Sequence, residues 1–183
     1  MASPSKEENV LKLILENSPL REWHFEEIVK SAGVTKAVAN KWLKKYVRGG
    51  LLVKVKKKGR FPYFTAGSNN PVYYSQKRLY PLEKFHESGL ISQLLSLPEA
   101  KTVIFFGSTI KGDWYKDSDI DIFIYGNTKN FDKSIYEHKL GRHIELHLFS
   151  NKKEIKMVRT GLIKNIINGY VLKGQVQDFV EVA

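Results

Sequence analysis

Residues 101–126 read KTVIFFGSTIKGDWYKDSDIDIFIYG, and this stretch decides the fold of the second half of the chain. A β-prone apolar run at 102–106 ends abruptly at Gly107 and Ser108, where a short polar helix is expected to begin. Further on, Asp119 and Asp121 alternate with isoleucines in DIDIFIY, which is the pattern of a strand. Because residues two apart in a strand point to the same face, the sequence predicts that these two carboxylates project side by side, with the isoleucines buried opposite.

A third carboxylate follows in a later strand-like run, RHIELHLFS at 142–150. The alternating apolar residues of this run mark a core face, and Glu145 points the other way, with His143 and His147 beside it. Carboxylates this close repel each other unless cations lie between them, and oxygen-rich clusters suit Mg²⁺ or Mn²⁺. Histidines beside carboxylates in a chain without cysteine more often line a polar cleft, so the predicted metal site consists of carboxylates alone.

The joint pattern carries a family resemblance. A Gly-Ser pair, a ten-residue gap, an Asp-x-Asp between apolar residues and a later strand carboxylate resemble the polymerase-β-type nucleotidyltransferases, in particular their minimal branch. That branch commonly continues with a basic residue, a glycine and SDIDL, and Lys111, Gly112 and Ser118 stand in the expected places. The resemblance covers about residues 99–174, and its tail at 162–174, LIKNIINGYVLKG, is similar to the closing helix of these proteins. Glu145 departs from a common aspartate.

The resemblance implies a function and a set of site residues. It implies transfer of a nucleoside monophosphate from a nucleoside triphosphate, expected to be ATP, to an acceptor hydroxyl on a protein or an RNA. The residues that would bind two Mg²⁺ or Mn²⁺ ions and carry catalysis are Asp119, Asp121 and Glu145. The residues that would bind the nucleotide are Gly107, Ser108, Lys111 and Ser118. Relatives of the minimal branch include antitoxins that modify a partner toxin, so a toxin is a candidate acceptor.

The first third of the chain has a different organisation. Helical spacing predicts three helices, at 6–17, 25–31 and 36–48, the last capped by Thr35 and followed by two glycines. Alternation in LLVKV, a turn at Gly59-Arg60 and an aromatic run at 61–64 then predict a two-stranded hairpin. This order resembles a winged helix-turn-helix domain over about residues 6–66, and an upstream winged helix is also similar to archaeal two-domain nucleotidyltransferases.

Charge points to a polyanion partner for this part. The formal net charge is +11, and ten basic residues but no acidic one lie between Lys36 and Arg60. The third helix would enter the major groove of DNA with Ala39, Leu43 and Tyr46 facing inward. The predicted DNA-binding residues are Lys36, Asn40, Lys41 and Lys44 on the helix and Lys56, Lys57, Lys58 and Arg60 on the wing. RNA binding and docking of a protein partner are the alternatives.

The predicted fold class is α+β in two domains. Residues 1–70 form the winged helix-turn-helix, 71–98 a connecting helical segment, and 99–183 a nucleotidyltransferase domain with a mixed sheet. The connector reads as one long helix, or as two with a bend at Pro81 or Gly89, and a homodimer through it is plausible. Within the loop between the motif halves, Trp114 and Tyr115 either stack on a base or pack against the winged helix.

Composition excludes several classes of protein. The absence of cysteine excludes disulfides, thiolate zinc sites and cysteine nucleophiles. No apolar run is long enough to span a bilayer and MASPSKEENV is no secretory signal, so a cytoplasmic location without a membrane partner is expected. Two competing functions remain: a transcriptional regulator or antitoxin whose transferase fold senses nucleotide or docks a partner without turnover, and an enzyme that modifies a nucleic acid held by the winged helix.

Overall fold

The computed structural model of the protein describes residues 5–128 and 131–180. The chain divides into two compact units, Met1–Lys77 and Arg78–Ala183. Across the described residues, none of the helices combines the length and the apolar character that a bilayer crossing requires.

The first unit consists of three helices and a small antiparallel sheet. Its elements are α1 (Lys6–Leu15), β1 (Trp23–His24), α2 (Phe25–Ala32), α3 (Lys36–Arg48), β2 (Leu52–Val55) and β3 (Tyr63–Ala66). The strands lie in the order β1-β3-β2. The three predicted helices are confirmed, and the Thr35 side chain accepts a hydrogen bond from the Val38 N–H at the start of α3. The two-residue strand β1 was not predicted.

The hairpin of this unit begins later than the sequence indicated. An aromatic strand was predicted at 61–64, whereas β3 runs over Tyr63–Ala66. Phe61 is 85% exposed, and Pro62 has no N–H with which to donate to a neighbouring strand. The prediction was therefore wrong by two residues, and 56–62 form the loop between β2 and β3.

The third helix buries one face, as the period of its apolar residues predicted. Ala39, Leu43 and Tyr46 are buried, and they share the core of the unit with α1 and α2. The Tyr46 hydroxyl donates to the backbone carbonyl of Glu7. The residues predicted to face outward, Lys36, Asn40, Lys41 and Lys44, are all exposed.

The second unit is built on a four-stranded mixed sheet. A helix that crosses the division between the units, α4 (Pro71–Glu87), leads into it. The further elements are α5 (Leu90–Ser96), β4 (Ala100–Phe106), α6 (Gly107–Lys111), β5 (Ile120–Gly126), α7 (Lys133–Leu140), β6 (Ile144–Phe149), α8 (Lys152–Lys156), α9 (Thr160–Ile167) and β7 (Tyr170–Lys173). The strand order is β6-β5-β4-β7, with β5 and β6 parallel and the other pairs antiparallel. The predicted mixed sheet is confirmed.

The connecting segment forms two helices. The break lies at Gly89, whose φ of 84° is left-handed, while Pro81 lies inside α4 without ending it. Leu90 and Leu94 of α5 are buried in the core of the sheet. The domain limits at 70 and 98 stay a prediction.

The closing segment is part helix and part strand. A helix was predicted to run through 162–174, but α9 ends at Ile167 and β7 pairs with β4. A Cβ at Gly169 would come 2.5 Å from the backbone oxygen of Phe105, so the chain crosses β4 closely at that point. Pairing with β7 satisfies hydrogen-bonding groups along the edge of β4 that a helix would leave open. The prediction of a continuous helix was wrong.

The sheet separates two apolar layers. One face carries Ile120, Ile122 and Ile124, all fully buried under α4, α5 and α7. The opposite face carries Phe106 and Phe123, which pack with Ile166 of α9 and with Phe179 near the C-terminus. Asp121 of the motif and Glu145 belong to the second face, at the end of the sheet where β4 runs into α6.

Candidate active site

The turn from β4 into α6 passes directly against a carboxylate. Gly107 has a φ of 75°, which is left-handed, and a Cβ built on it would collide with the side chain of Asp121. An L-residue at this position would be strained by its backbone and would also displace the carboxylate. Glycine is thus required here for both the turn and the close approach.

Sheet register brings two of the three predicted carboxylates together. Asp121 on β5 pairs with Phe106 on one side and with Glu145 on the parallel strand β6 on the other. Asp121 is partly buried, whereas the Glu145 side chain is 51% exposed. Burial raises the pKa of Asp121, and the charges of Glu145 and Asp119 raise it further, while His147 and Arg142 oppose them. A cation at this position would relieve the repulsion.

A histidine completes the cluster. The donor atoms of Asp121, Glu145 and His147 all lie within 4.8 Å of one another, and these three residues are called the donor triad below. His147 Nε2 lies 3.4 Å from Glu145 Oε1, and the imidazole ring lies 5.1 Å from the ring of Phe106. Sequence reasoning had set His147 aside, although its spacing of two from Glu145 already placed it on the same face.

Asp119, the first acidic residue of the Asp-x-Asp motif, lies beside His143. It precedes β5, and its Oδ1 lies 3.5 Å from Nδ1 of His143. The other ring nitrogen of His143 lies 3.6 Å from Glu137 Oε1. The donor triad found among the described residues contains Asp121 and Glu145, which pair across the strands, and the charge of Asp119 acts on Asp121. A metal-binding role for Asp119 stays a prediction.

Arg142 holds the loop that carries Asp119. Its guanidinium donates to the backbone oxygens of Ser118 at 2.7 Å and Asp119 at 3.1 Å, and to Thr109 Oγ1 at 2.8 Å. Thr109 belongs to α6 and itself donates to the oxygen of Asp119. One side chain therefore ties the Gly-Ser helix to the Asp-x-Asp strand, a link that sequence spacing alone does not reveal.

The two aromatic residues of this loop have different surroundings. Trp114 is 2% exposed and stacks on Tyr80 of α4, with ring centroids 5.9 Å apart and planes at 11°. The Arg142 guanidinium lies 5.5 Å from the Trp114 ring. Base stacking, one of the roles predicted for Trp114, is wrong because the ring is buried. Tyr115 is 47% exposed.

The remaining predicted nucleotide-binding residues surround the turn. Lys111 Nζ donates to Asn165 Oδ1 of α9 at 2.9 Å, and the Ser118 hydroxyl accepts the Tyr115 N–H at 2.8 Å. Ser108 lies in the first turn of α6 beside Gly107. Nucleotide binding by these residues stays a prediction.

The donor set suits a divalent cation. Two carboxylates offer hard oxygen donors, and an imidazole offers one nitrogen, within a space small enough for one ion to reach all three. Asp121 and Glu145 carry formal charge that a cation would neutralise.

A family comparison agrees with this geometry. Residues 87–173 match the family model described as a nucleotidyltransferase domain. The match covers a little under half of the chain, contains every residue of the candidate site, and supports the nucleotidyltransferase family for this part of the protein. A domain of this family takes a nucleotide as substrate and supports a general nucleotidyl transfer function. Neither the curated proteins nor the solved structures gave a match.

The loop between β2 and β3 forms a separate basic surface on the first unit. Residues 56–62 line an open hollow of about 690 Å³. Lys56, Lys57, Lys58 and Arg60 are all exposed there, together with Phe61. Lys57 lies 5.4 Å from the ring of Tyr63 and 3.9 Å from a carboxylate oxygen of Glu22.

Proposed function

We propose that the protein is a metal-dependent nucleotidyltransferase that moves a nucleoside monophosphate from a triphosphate, expected to be ATP, to an acceptor hydroxyl on a protein or an RNA. The observation that carries this proposal is the convergence of Asp121, Glu145 and His147 beside the Gly107 turn. This cluster lies inside the segment that matches the nucleotidyltransferase family model.

The residues of the site have distinct tasks in this proposal. Asp121 and Glu145 would hold Mg²⁺ or Mn²⁺, which when bound neutralises charge on the phosphate oxygens. The tight turn at Gly107 lets the backbone approach the triphosphate, and Ser108 adds an amide and a hydroxyl as donors. Glu145, whose side chain is half exposed, would accept the proton of the acceptor hydroxyl. Asp119 and a second ion complete the family pattern.

The decisive test follows label from the nucleotide. Full-length protein is incubated with Mg²⁺ and each α-phosphate-labelled triphosphate in lysate of its own source, beside Asp121→Asn and Glu145→Gln. Asp117→Asn is the matched control, because Asp117 is an exposed carboxylate of the same loop. Label on one macromolecule with the wild type and Asp117→Asn, but with neither site variant, is expected. Equal labelling by Asp121→Asn would refute the proposed site.

The first unit is proposed to be a winged helix-turn-helix domain that binds DNA. The helix, strand, helix, helix and hairpin order supports this, as do the exposed residues of α3. Lysines of the helix and wing supply phosphate contacts, and Asn40 is able to read an adenine edge. A partner toxin, an RNA acceptor and a homodimer are further elements of the proposal that the acceptor search and the oligomeric state would test.

DNA binding has its own matched experiment. The triple variant Lys56→Ala/Lys57→Ala/Lys58→Ala is compared with a triple of equal charge change on α8, at Lys152, Lys153 and Lys156. Each lost phosphate contact reduces the magnitude of the negative slope of log K against log salt by about 0.9. The wing triple is therefore expected to lower it by up to roughly 2.7 and the α8 triple to leave it unchanged. An equal decrease in both would show a charge effect without a binding surface.

One observation favours a second function. The Asp119 carboxylate lies with His143 and outside the donor triad, an arrangement that suits nucleotide sensing without turnover. The protein would then be a regulator whose DNA binding responds to ATP and persists in Asp119→Ala/Asp121→Ala. Label transfer by the wild type alone would exclude this alternative.

A further inference from the structure

The donor triad contains a nitrogen ligand where the sequence pattern predicted only oxygen. His147 lies on β6 two residues beyond Glu145, and its Nε2 faces the Glu145 carboxylate at 3.4 Å. Its side chain is only 18% exposed, and the ring lies against Phe106. Packing therefore fixes the direction of the imidazole, so a cation held by Asp121 and Glu145 would meet the ring nitrogen without a large rearrangement.

The neighbouring histidine provides a contrast. His143 lies two residues before Glu145 on the same strand-like run, but its side chain is 57% exposed. Its two ring nitrogens lie near Asp119 and Glu137, and the Lys133 ammonium is 3.3 Å from one of them. His143 is thus engaged with its own partners, and the donor triad does not include it.

Ligand type determines which cation such a site prefers. Mg²⁺ takes oxygen ligands almost exclusively, whereas imidazole suits transition-metal dications. With two carboxylates alone, the cation that occupies the site would depend on the concentrations of the available cations. One nitrogen among the three donors shifts the preference of the site toward a transition metal.

We infer that His147 is a metal ligand of this site and makes it prefer a transition-metal dication over Mg²⁺. The inference rests on the proposed function in that both use the same cation site. It differs in naming the residue that selects the ion.

The test reads the metal directly, independently of transfer activity. Mn²⁺ is added to the full-length protein, and electron spin echo envelope modulation detects ¹⁴N of an imidazole bound to the ion. His147→Phe keeps a ring against Phe106 and removes the donor, and His147→Gln is a second variant that keeps a polar side chain. His143→Gln is the matched control. Competition of Mg²⁺ against bound Mn²⁺ gives the preference of each protein.

The expected result is ¹⁴N modulation in the wild type and in His143→Gln, and its loss in both His147 variants. The preference for bound Mn²⁺ over Mg²⁺ should fall when His147 is replaced, because the nitrogen donor is lost. Bound Mn²⁺ without ¹⁴N modulation in the wild type would overturn the inference and leave the proposed function intact. Modulation that disappears in His143→Gln but persists in the His147 variants would also overturn it. Failure of the wild type to bind any Mn²⁺ would overturn the inference and the metal-dependent function together.

Discussion

Replacing Arg142 by alanine is expected to release the loop that carries Asp119. In the native protein the guanidinium donates to the backbone oxygens of Ser118 and Asp119 and to the hydroxyl of Thr109, at 2.7–3.1 Å. Trp114 lies beneath it. All of these partners belong to α6 or to the segment between α6 and β5, so the loss is local to the site.

The magnitude follows from these bonds. A hydrogen bond from a charged donor is worth about 1.5–3 kcal/mol, and three such bonds would exceed that several-fold if they were fully buried. Arg142 is only partly buried, and water will replace part of each bond, so a net loss of roughly 2–3 kcal/mol in the local opening free energy is expected. This corresponds to an increase of roughly 30- to 150-fold in amide exchange through loop opening.

Hydrogen exchange followed by mass spectrometry measures this change. The N–H groups of Gly112 and Asp113 both donate to the oxygen of Ser108, and that of Ser118 donates to Tyr115, so peptides covering 112–118 report the opening. Arg142→Lys keeps the charge but lacks the planar fork, and an intermediate increase is expected. Arg159→Ala removes an exposed arginine as a control. Exchange at 112–118 that is equal in Arg142→Ala and in the wild type would refute this account.

Three further predictions concern single side chains. Gly107→Ala should abolish label transfer, since the new Cβ strains a left-handed backbone and displaces the site carboxylate, whereas Gly161→Ala, with open space around it, should retain transfer. The hydrogen bond from the Thr102 hydroxyl lowers the pKa of Asp178. The ionised Asp178 therefore stabilises the fold above the ordinary aspartate pKa of 3.8, and this stabilisation is lost as the pH falls through the lowered pKa. In urea unfolding, the free energy of unfolding of Asp178→Asn should fall less in acid than that of the wild type. Thr35→Ala should cost about 1 kcal/mol of unfolding free energy by loss of the α3 cap, and an unchanged urea midpoint would contradict this.

Local patterns allowed much of the fold to be predicted. The three helices of the first unit follow from the helical spacing of their apolar residues, and the strands β4, β5 and β6 follow from short β-prone apolar or alternating runs. The cap at Thr35 and the stop after Arg48 are decided by residues adjacent in sequence, and the structure agrees with both. The Gly-Ser and Asp-x-Asp pattern located the site for the same reason.

Other elements depend on contacts that spacing does not contain. The residues of β7 could equally continue the helical pattern of α9. They form a strand because they pair with the open edge of β4. The start of β3 shifted because Pro62 cannot donate within a sheet. Trp114 is buried because Tyr80 and Arg142, both distant in sequence, enclose it.

The sequence by itself determined the two-part organisation in outline and the carboxylates Asp121 and Glu145, since alternation within each strand fixes which side chains share a face. The mixed sheet was implied by the family resemblance. Only the tertiary structure decided which donors meet. Parallel register of β5 and β6 sets Asp121 beside Glu145, His147 joins them with its ring against Phe106, and Asp119 lies beside His143. Distances between side chains of different strands depend on register and packing, which no single segment encodes.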